Sequence, residues 1–311
     1  MDFSAALPTF IVTLREGFEA ALVVGIVLAC LKRAGQTHLN SWVYGGVGGG
    51  IAASALVGVL FTGLLQAIDS SDRPYALIAK PLLEASFGIL AIALLSWMLV
   101  WMTKQARSLK SEVEGAISTA LGQETTAAGW GIFGLVFIAV LREGFETVIF
   151  IAAQFQEGIA PPLGAVGGLS AATLLGVLLF RWGIKIDIRR FFQVMGVFLL
   201  LIVSGLIVSA LKHLEATAAV LAAIEPQFAS LCQSDRASCI LGPQVWDLKA
   251  VLPDKQFPGI LLKSLFGYRD RLFFAQALGY VALLTTTGSL YFRSLSNNTA
   301  PPSSQPATDG K

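Results

Sequence analysis

The sequence predicts an all-α polytopic membrane protein: seven transmembrane helices, built as a 3+3 inverted repeat plus one extra helix. Three observations carry that prediction. The 311-residue chain is 55% hydrophobic and only 14% charged, with a mean hydropathy of +0.70, whereas a soluble domain is about a quarter charged. Its apolar residues gather in runs long enough to cross a bilayer, which takes about 20 residues. One charged hexapeptide, Leu-Arg-Glu-Gly-Phe-Glu, occurs twice, at residues 14–19 and 141–146, each time inside such a run. On a chain of this kind a net charge of +2 gives no reason to expect nucleic acid as a partner; the lipid bilayer is the expected one.

The spans follow in order. Residues 1–6 form a short external N-terminus without a basic region, and the first apolar run carries Arg and Glu, so a cleaved signal peptide is not expected. The seven-helix membrane domain covers residues 7–292. Its spans are residues 7–31, 42–68, 79–102, 130–154, 163–182, 191–211 and 272–292. A backbone in lipid must satisfy its own hydrogen bonds, which makes each span a helix. Residues 212–271 form an external loop. Within it, residues 215–231 read as a helix, and residues 256–268, apolar and edged by Lys255, Lys263 and Arg269, as a segment on the membrane surface. Residues 293–311 are rich in Ser, Asn, Thr and Pro and are expected to be a disordered cytoplasmic tail.

Orientation comes from Lys and Arg in the short connections. Lys32 and Arg33 follow the first span, Lys104, Arg107 and Lys110 the third, Lys185, Arg189 and Arg190 the fifth, and Arg293 the seventh. The opposite connections hold little positive charge. The N-terminus is therefore expected outside and the C-terminus inside. Cys232 and Cys239 then fall on the side where oxidation is allowed, and a disulfide closing a small loop is expected, two unpaired thiols being the alternative. Cys30 reads as packing.

The repeat extends beyond the charged hexapeptide. Val47-Gly48-Gly49-Gly50-Ile51-Ala52-Ala53-Ser54 of the second span matches Val166-Gly167-Gly168-Leu169-Ser170-Ala171-Ala172-Thr173 of the fifth. Small residues at these positions let helices approach closely. Spans one to three thus pair with spans four to six in opposite topology, a transporter signature with its site at the repeat interface.

A charged side chain in the middle of a membrane helix costs about 2.5–3.5 kcal/mol on insertion scales, so six of them need a reason. On a helix Glu16 and Glu19 project to one side, and Arg15 and Glu19 are spaced to pair. The same holds for Glu143, Glu146 and Arg142. If the first and fourth helices pack near the midplane, four carboxylates converge. Such a hard-oxygen site, without His or Cys, suits Ca²⁺, Mg²⁺, Mn²⁺ or a ferric ion. The plainer reading is an internal salt bridge in each copy, but each Arg has two Glu beside it.

These residues resemble the high-affinity iron permeases, the oxidase-dependent iron transporters of bacteria and fungi, which carry Arg-Glu-x-x-Glu in the same two helices. The resemblance includes Trp97-Met98, Trp101-Met102, Trp246-Asp247 and Leu265-Phe266-Gly267-Tyr268. It implies ferric iron import across the plasma membrane, a bacterial inner membrane for this chain, with Fe³⁺ as transported substrate and no cofactor. It also implies an iron oxidase or a periplasmic iron-binding protein as partner. Carried over by residue, Glu16, Glu19, Glu143 and Glu146 hold the metal and Arg15 and Arg142 support it. Glu84 matches a recurrent family acid, either on the pathway or at the helix start. Asp247 reads as an outer-mouth acid or a turn cap. Another cation (Fe²⁺, Mn²⁺ or Pb²⁺) on the same scaffold is the second reading. The third, from another class, is a membrane-embedded metalloenzyme. Di-iron carboxylate enzymes use Glu-x-x-His pairs, and neither His38 nor His213 follows a Glu at that spacing, so no enzyme is expected.

Overall fold

The structure, a computed structural model, describes residues 6–69, 76–105, 115, 117, 119, 125–152, 159–183, 187–224, 227–228, 232 and 238–297. Among the described residues the long helices are α1 Ala6–Arg33, α2 Asn40–Asp69, α3 Ala76–Gln105, α4 Thr125–Ala152, α5 Ala160–Phe180, α6 Ile188–Ile224 and α8 Phe274–Asn297. A short helix, α7 Gly259–Phe266, and two strands, β1 Gln244–Asp247 and β2 Arg271–Phe273, lie between α6 and α8. The cytoplasmic tail expected at residues 293–311 and the external N-terminus expected at residues 1–6 fall largely outside the described residues.

Helix ends follow local chemistry. Lys32 and Arg33 occupy the last turn of α1, where cations oppose the negative end of the helix dipole. Gly35 follows in the left-handed region at φ 72°, and Gln36 N–H donates back to Leu31 O at 2.9 Å, which stops the helix. α5 opens on proline in its first turn, where the missing N–H has no helical partner to lose.

Among the described residues four stretches are long and apolar enough to cross a bilayer: Thr37–Phe61, Pro81–Trp101, Ala160–Phe180 and Arg190–Ile224. α1 and α4 are each 28 residues long but interrupted by the charges of the hexapeptides. The chain is a multi-pass membrane protein.

The main packing partners are α1 with α5, α2 with α4, and α3 with α6; α1 also meets α4, and α8 lies on α6 and α3. One cluster of buried apolar side chains, including Val12, Leu95, Phe150, Leu199, Val203 and Tyr291, joins α1, α3, α4, α6 and α8. A second, including Val27, Val43, Ile132 and Val136, joins α1, α2 and α4.

Two ladders of small residues set how close the pairs come. On α2, a Cβ at Gly46 would lie 2.9 Å from Phe133 O, and one at Gly50 would lie 2.8 Å from Val140 Cβ. On α5, a Cβ at Gly168 would lie 2.6 Å from Phe10 O and 2.8 Å from Leu14 N, and Gly164 sits against Ala6 O. These are approaches to the partner's backbone or Cβ that any side chain would block. The ladders correct the alignment of spans two and five by one residue. Gly46, Gly50 and Ser54 occupy the places of Gly164, Gly168 and Ala172, because what recurs is a small residue on every fourth position facing the partner, not the Val-Gly-Gly string.

The segment between α6 and α8 departs from expectation. The sixth span and the helix expected at residues 215–231 form one continuous helix to Ile224, since no Gly or Pro interrupts residues 211–224. β1 and β2 pair antiparallel, Trp246 opposite Leu272 and Asp247 opposite Arg271, an element the sequence reading did not include. α7 falls within the apolar segment 256–268. It ends at Gly267, φ 66°, whose Cα packs on the backbone of Gly205 in α6. Leu265 reaches the cluster that contains Ile11 and Val12, so this segment folds down against the helices.

Cys232 and Cys239 are joined by a disulfide. The Glu215 carboxylate, on α6, accepts the backbone N–H groups of Cys239 at 2.5 Å and Ile240 at 2.9 Å, and so anchors the returning chain. An impermeant maleimide added to intact cells labels these two cysteines only after a reductant; labelling of lysed cells alone would place the loop on the other side.

Candidate metal centre

The two hexapeptides lie mid-helix in α1 and α4, and the crossing of these helices brings their acids together. One oxygen each from Glu16, Glu19 and Glu143 lie within 4.8 Å of one another. Arg15 and Glu16 are 2% and 1% exposed. Arg15 Nη1 donates to Glu16 Oε1 at 2.8 Å and to Met98 Sδ of α3 at 3.4 Å, and its Nη2 stands 3.2 Å from Glu19 Oε1. Glu16 Oε2 and Glu143 Oε2 are buried with no hydrogen-bond partner among the described residues. Such a group is costly to leave unsatisfied, and a bound cation is one partner that a carboxylate oxygen can take.

The fourth acid stands apart from the trio. Glu146 Oε1 accepts Arg142 Nε at 3.2 Å, one helical turn away. The Arg142 guanidinium also lies over the Trp101 ring, 4.7 Å from its centroid. The surroundings of the two copies differ. Phe18 is fully buried and packs on Phe191 at 4.4 Å between centroids, whereas Phe145 is 46% exposed. The two glycines of the hexapeptides each admit a neighbouring helix. Gly17 faces Ala172, with 2.8 Å left for a Cβ, and Gly144 faces Ser54, whose hydroxyl is satisfied by Gly50 O at 2.8 Å.

Two other candidates lie elsewhere. Glu84 Oε2 pairs with His213 Nδ1 at 3.1 Å, joining α3 to α6. Glu84 and Met98 are 14 residues apart on α3, about 21 Å along the helix, so Glu84 does not join the trio. Asp247 is on β1, ion-paired with Arg271 Nε at 3.0 Å. The backbone N–H of Lys249, donating at 3.1 Å, and the Arg271 guanidinium hold its carboxyl below the usual range. The partner of Glu84 was not legible: nothing local in the sequence signals a partner 129 positions away. Met98 and Trp101 entered through the resemblance alone; their i, i+3 spacing on α3 is what turns both toward the arginines.

Hard carboxylate oxygens on two helices, with arginines against them, form a centre suited to binding and releasing a hard cation. Comparison with known proteins agrees. The model of the iron permease FTR1 family matches residues 6–292. The chain is 48% identical over 296 residues to an uncharacterized protein, slr0964, of Synechocystis sp., covering 95% of this chain and 96% of that one. It is 33% identical over 263 residues to the ferrous iron permease EfeU of Escherichia coli O157:H7, covering 84% and 86% of the two chains. It is 30% identical over 292 residues to the ferrous iron permease EfeU of Yersinia pseudotuberculosis, covering 93% of each. No solved structure matches the chain. A match that spans both charged helices and everything between them leaves one conclusion: the chain belongs to the iron permease FTR1 family and is a transporter, not an enzyme.

Proposed function

We propose that this permease imports iron across the plasma membrane through the centre between α1 and α4, with Glu16, Glu19, Glu143 and Glu146 as ligands and Arg15 and Arg142 as their counter-charges. The observation that carries the reading is the trio of carboxylate oxygens within 4.8 Å, two of those side chains keeping a buried oxygen without a donor. Ferric iron is the ion proposed at the centre, because hard, anionic oxygen donors favour a small, highly charged cation. An iron oxidase or a periplasmic iron-binding protein then delivers it. Glu84 and Asp247 are proposed as acids on the outer approach.

The architecture proposed is a 3+3 inverted repeat plus α8, in a bacterial inner membrane, with the N-terminus and the loop 212–271 outside and the tail 293–311 inside. Its support is the swapped packing. In the proposed repeat α1 on α5 corresponds to α4 on α2, and Gly168 against Leu14 corresponds to Gly50 against Leu141. Inverted repeats of this kind work by alternating access around a midplane site.

Ferrous iron is the second reading, favoured by the printed names of the Escherichia and Yersinia relatives. Radioactive iron uptake into cells lacking their own iron permease separates the two. With ferrous iron as source, uptake that requires an added oxidase and resists a ferrous chelator supports ferric transport. Uptake that proceeds under reductant and stops with the ferrous chelator supports ferrous transport.

A further inference from the structure

The two arginines do unequal work, although their motifs are identical in sequence. Arg15 engages both glutamates of its own motif, Glu16 at 2.8 Å and Glu19 at 3.2 Å. Among the described residues Arg142 forms a salt bridge with Glu146 only, at 3.2 Å. The face of its guanidinium is taken by Trp101, at 4.7 Å, and Glu143 Oε2 remains without a hydrogen-bond partner among the described residues. By the repeat, Glu143 is the counterpart of Glu16, so Arg142 placed like Arg15 would donate to it. The aromatic ring lies at the Arg142 site, where Arg15 instead donates to Met98 Sδ. Arg142 also lies in the open flank of the centre, its side chain 45% exposed against 3% for Arg15, so it has room to adopt either position.

We propose that Trp101 is a positioning residue that holds Arg142 off Glu143, keeping that carboxylate free to ligate the transported cation. The inference rests on the metal-site reading above. A guanidinium stacks on an indole through its planar, weakly hydrated face. While it does so, its Nε donates to Glu146 at 3.2 Å and Glu143 Oε2 is left without a donor among the described residues. Without the ring, Arg142 is free to pair with Glu143 as Arg15 pairs with Glu16. The cation must then displace an arginine before it binds. The consequence is weaker iron binding with the carboxylate ligands all present.

The test is equilibrium binding of radioactive ferric citrate to purified, detergent-solubilised full-length protein. Trp101→Leu weakens binding about fivefold, within the range a partly exposed cation–π contact supports, while Trp101→Phe, which keeps a ring face, stays within about twofold of wild type. In an Arg142→Gln background, where no guanidinium competes, Trp101→Leu has no further effect. Arg142→Lys keeps the charge but loses the planar face, and weakens binding like Trp101→Leu; it serves if the leucine variant does not fold. An effect of Trp101→Leu that persists in the Arg142→Gln background, equal losses for Leu and Phe, or wild-type binding by Arg142→Lys overturns the proposal. Glu143→Gln tests the underlying reading separately. If it leaves binding unchanged, the metal-site assignment fails; if it weakens binding while Trp101→Leu does not, only the positioning role fails.

Discussion

Glu16→Gln and Glu143→Gln each reduce iron uptake at least tenfold at matched surface expression. Each change keeps the side-chain shape and removes one anionic ligand. Losing a charged interaction of this kind is worth about 1.5–3 kcal/mol, or about 10–100-fold in an equilibrium. The two positions come from different helices, yet their oxygens fall within one 4.8 Å group with Glu19. If one ion is held by both motifs, the double variant is little worse than either single one, because either loss already breaks the shared site. Independent sites would instead give losses that multiply. Uptake that survives both single changes would make the motifs interhelical glue and sink the site assignment, while leaving the family membership intact.

Gly50→Val strongly destabilises the protein, whereas Gly48→Val, two residues away on the same helix, does not. A Cβ at Gly50 lies 2.8 Å from Val140 Cβ and 3.2 Å from Leu141 N, while a Cβ at Gly48 meets nothing within 4 Å. Forcing extra volume into a close-packed contact costs about 1–3 kcal/mol, and here the obstacle includes α4 backbone, which cannot rotate away as a side chain does. The residue displaced, Leu141, begins the second charged motif, so any protein that does fold presents Glu143 out of place. Thermal stability in detergent, read by size-exclusion chromatography of heated samples, separates the two variants. Equal melting of Gly50→Val and Gly48→Val would mean that the ladder does not set the α2–α4 distance.

Much of this molecule is a consequence of composition and order along the chain. Apolar runs in a bilayer must be helices, and Arg and Glu inside two of them must find each other or a cation, because lipid offers no alternative. That argument needs only Arg15, Glu16 and Glu19 and their copies Arg142, Glu143 and Glu146. It leads to a carboxylate centre and, with the resemblance, to an iron permease. The continuous helix through residues 211–224 was legible too, had the missing Gly and Pro been weighed above the apolar-to-polar change that marks the end of a span. The β1–β2 pair was not: strands of 4 and 3 residues carry too little alternation to register against a loop.

Relations between helices were decided only in three dimensions. Small residues on α2 and α5 signalled close approach, but which row faces a partner depends on helix rotation. The row Gly46, Gly50 and Ser54 therefore differs by one place from the best string match. The pairing of Glu84 with His213 and the stacking of Trp101 on Arg142 join residues far apart in the chain. Identical motifs also became unequal sites. Phe18 and Arg15 are sealed beneath α6 and α3, while Phe145 and Arg142 keep an open flank. A hexapeptide specifies which charges a helix carries; the neighbours packed around it specify which of them remain free to take an ion.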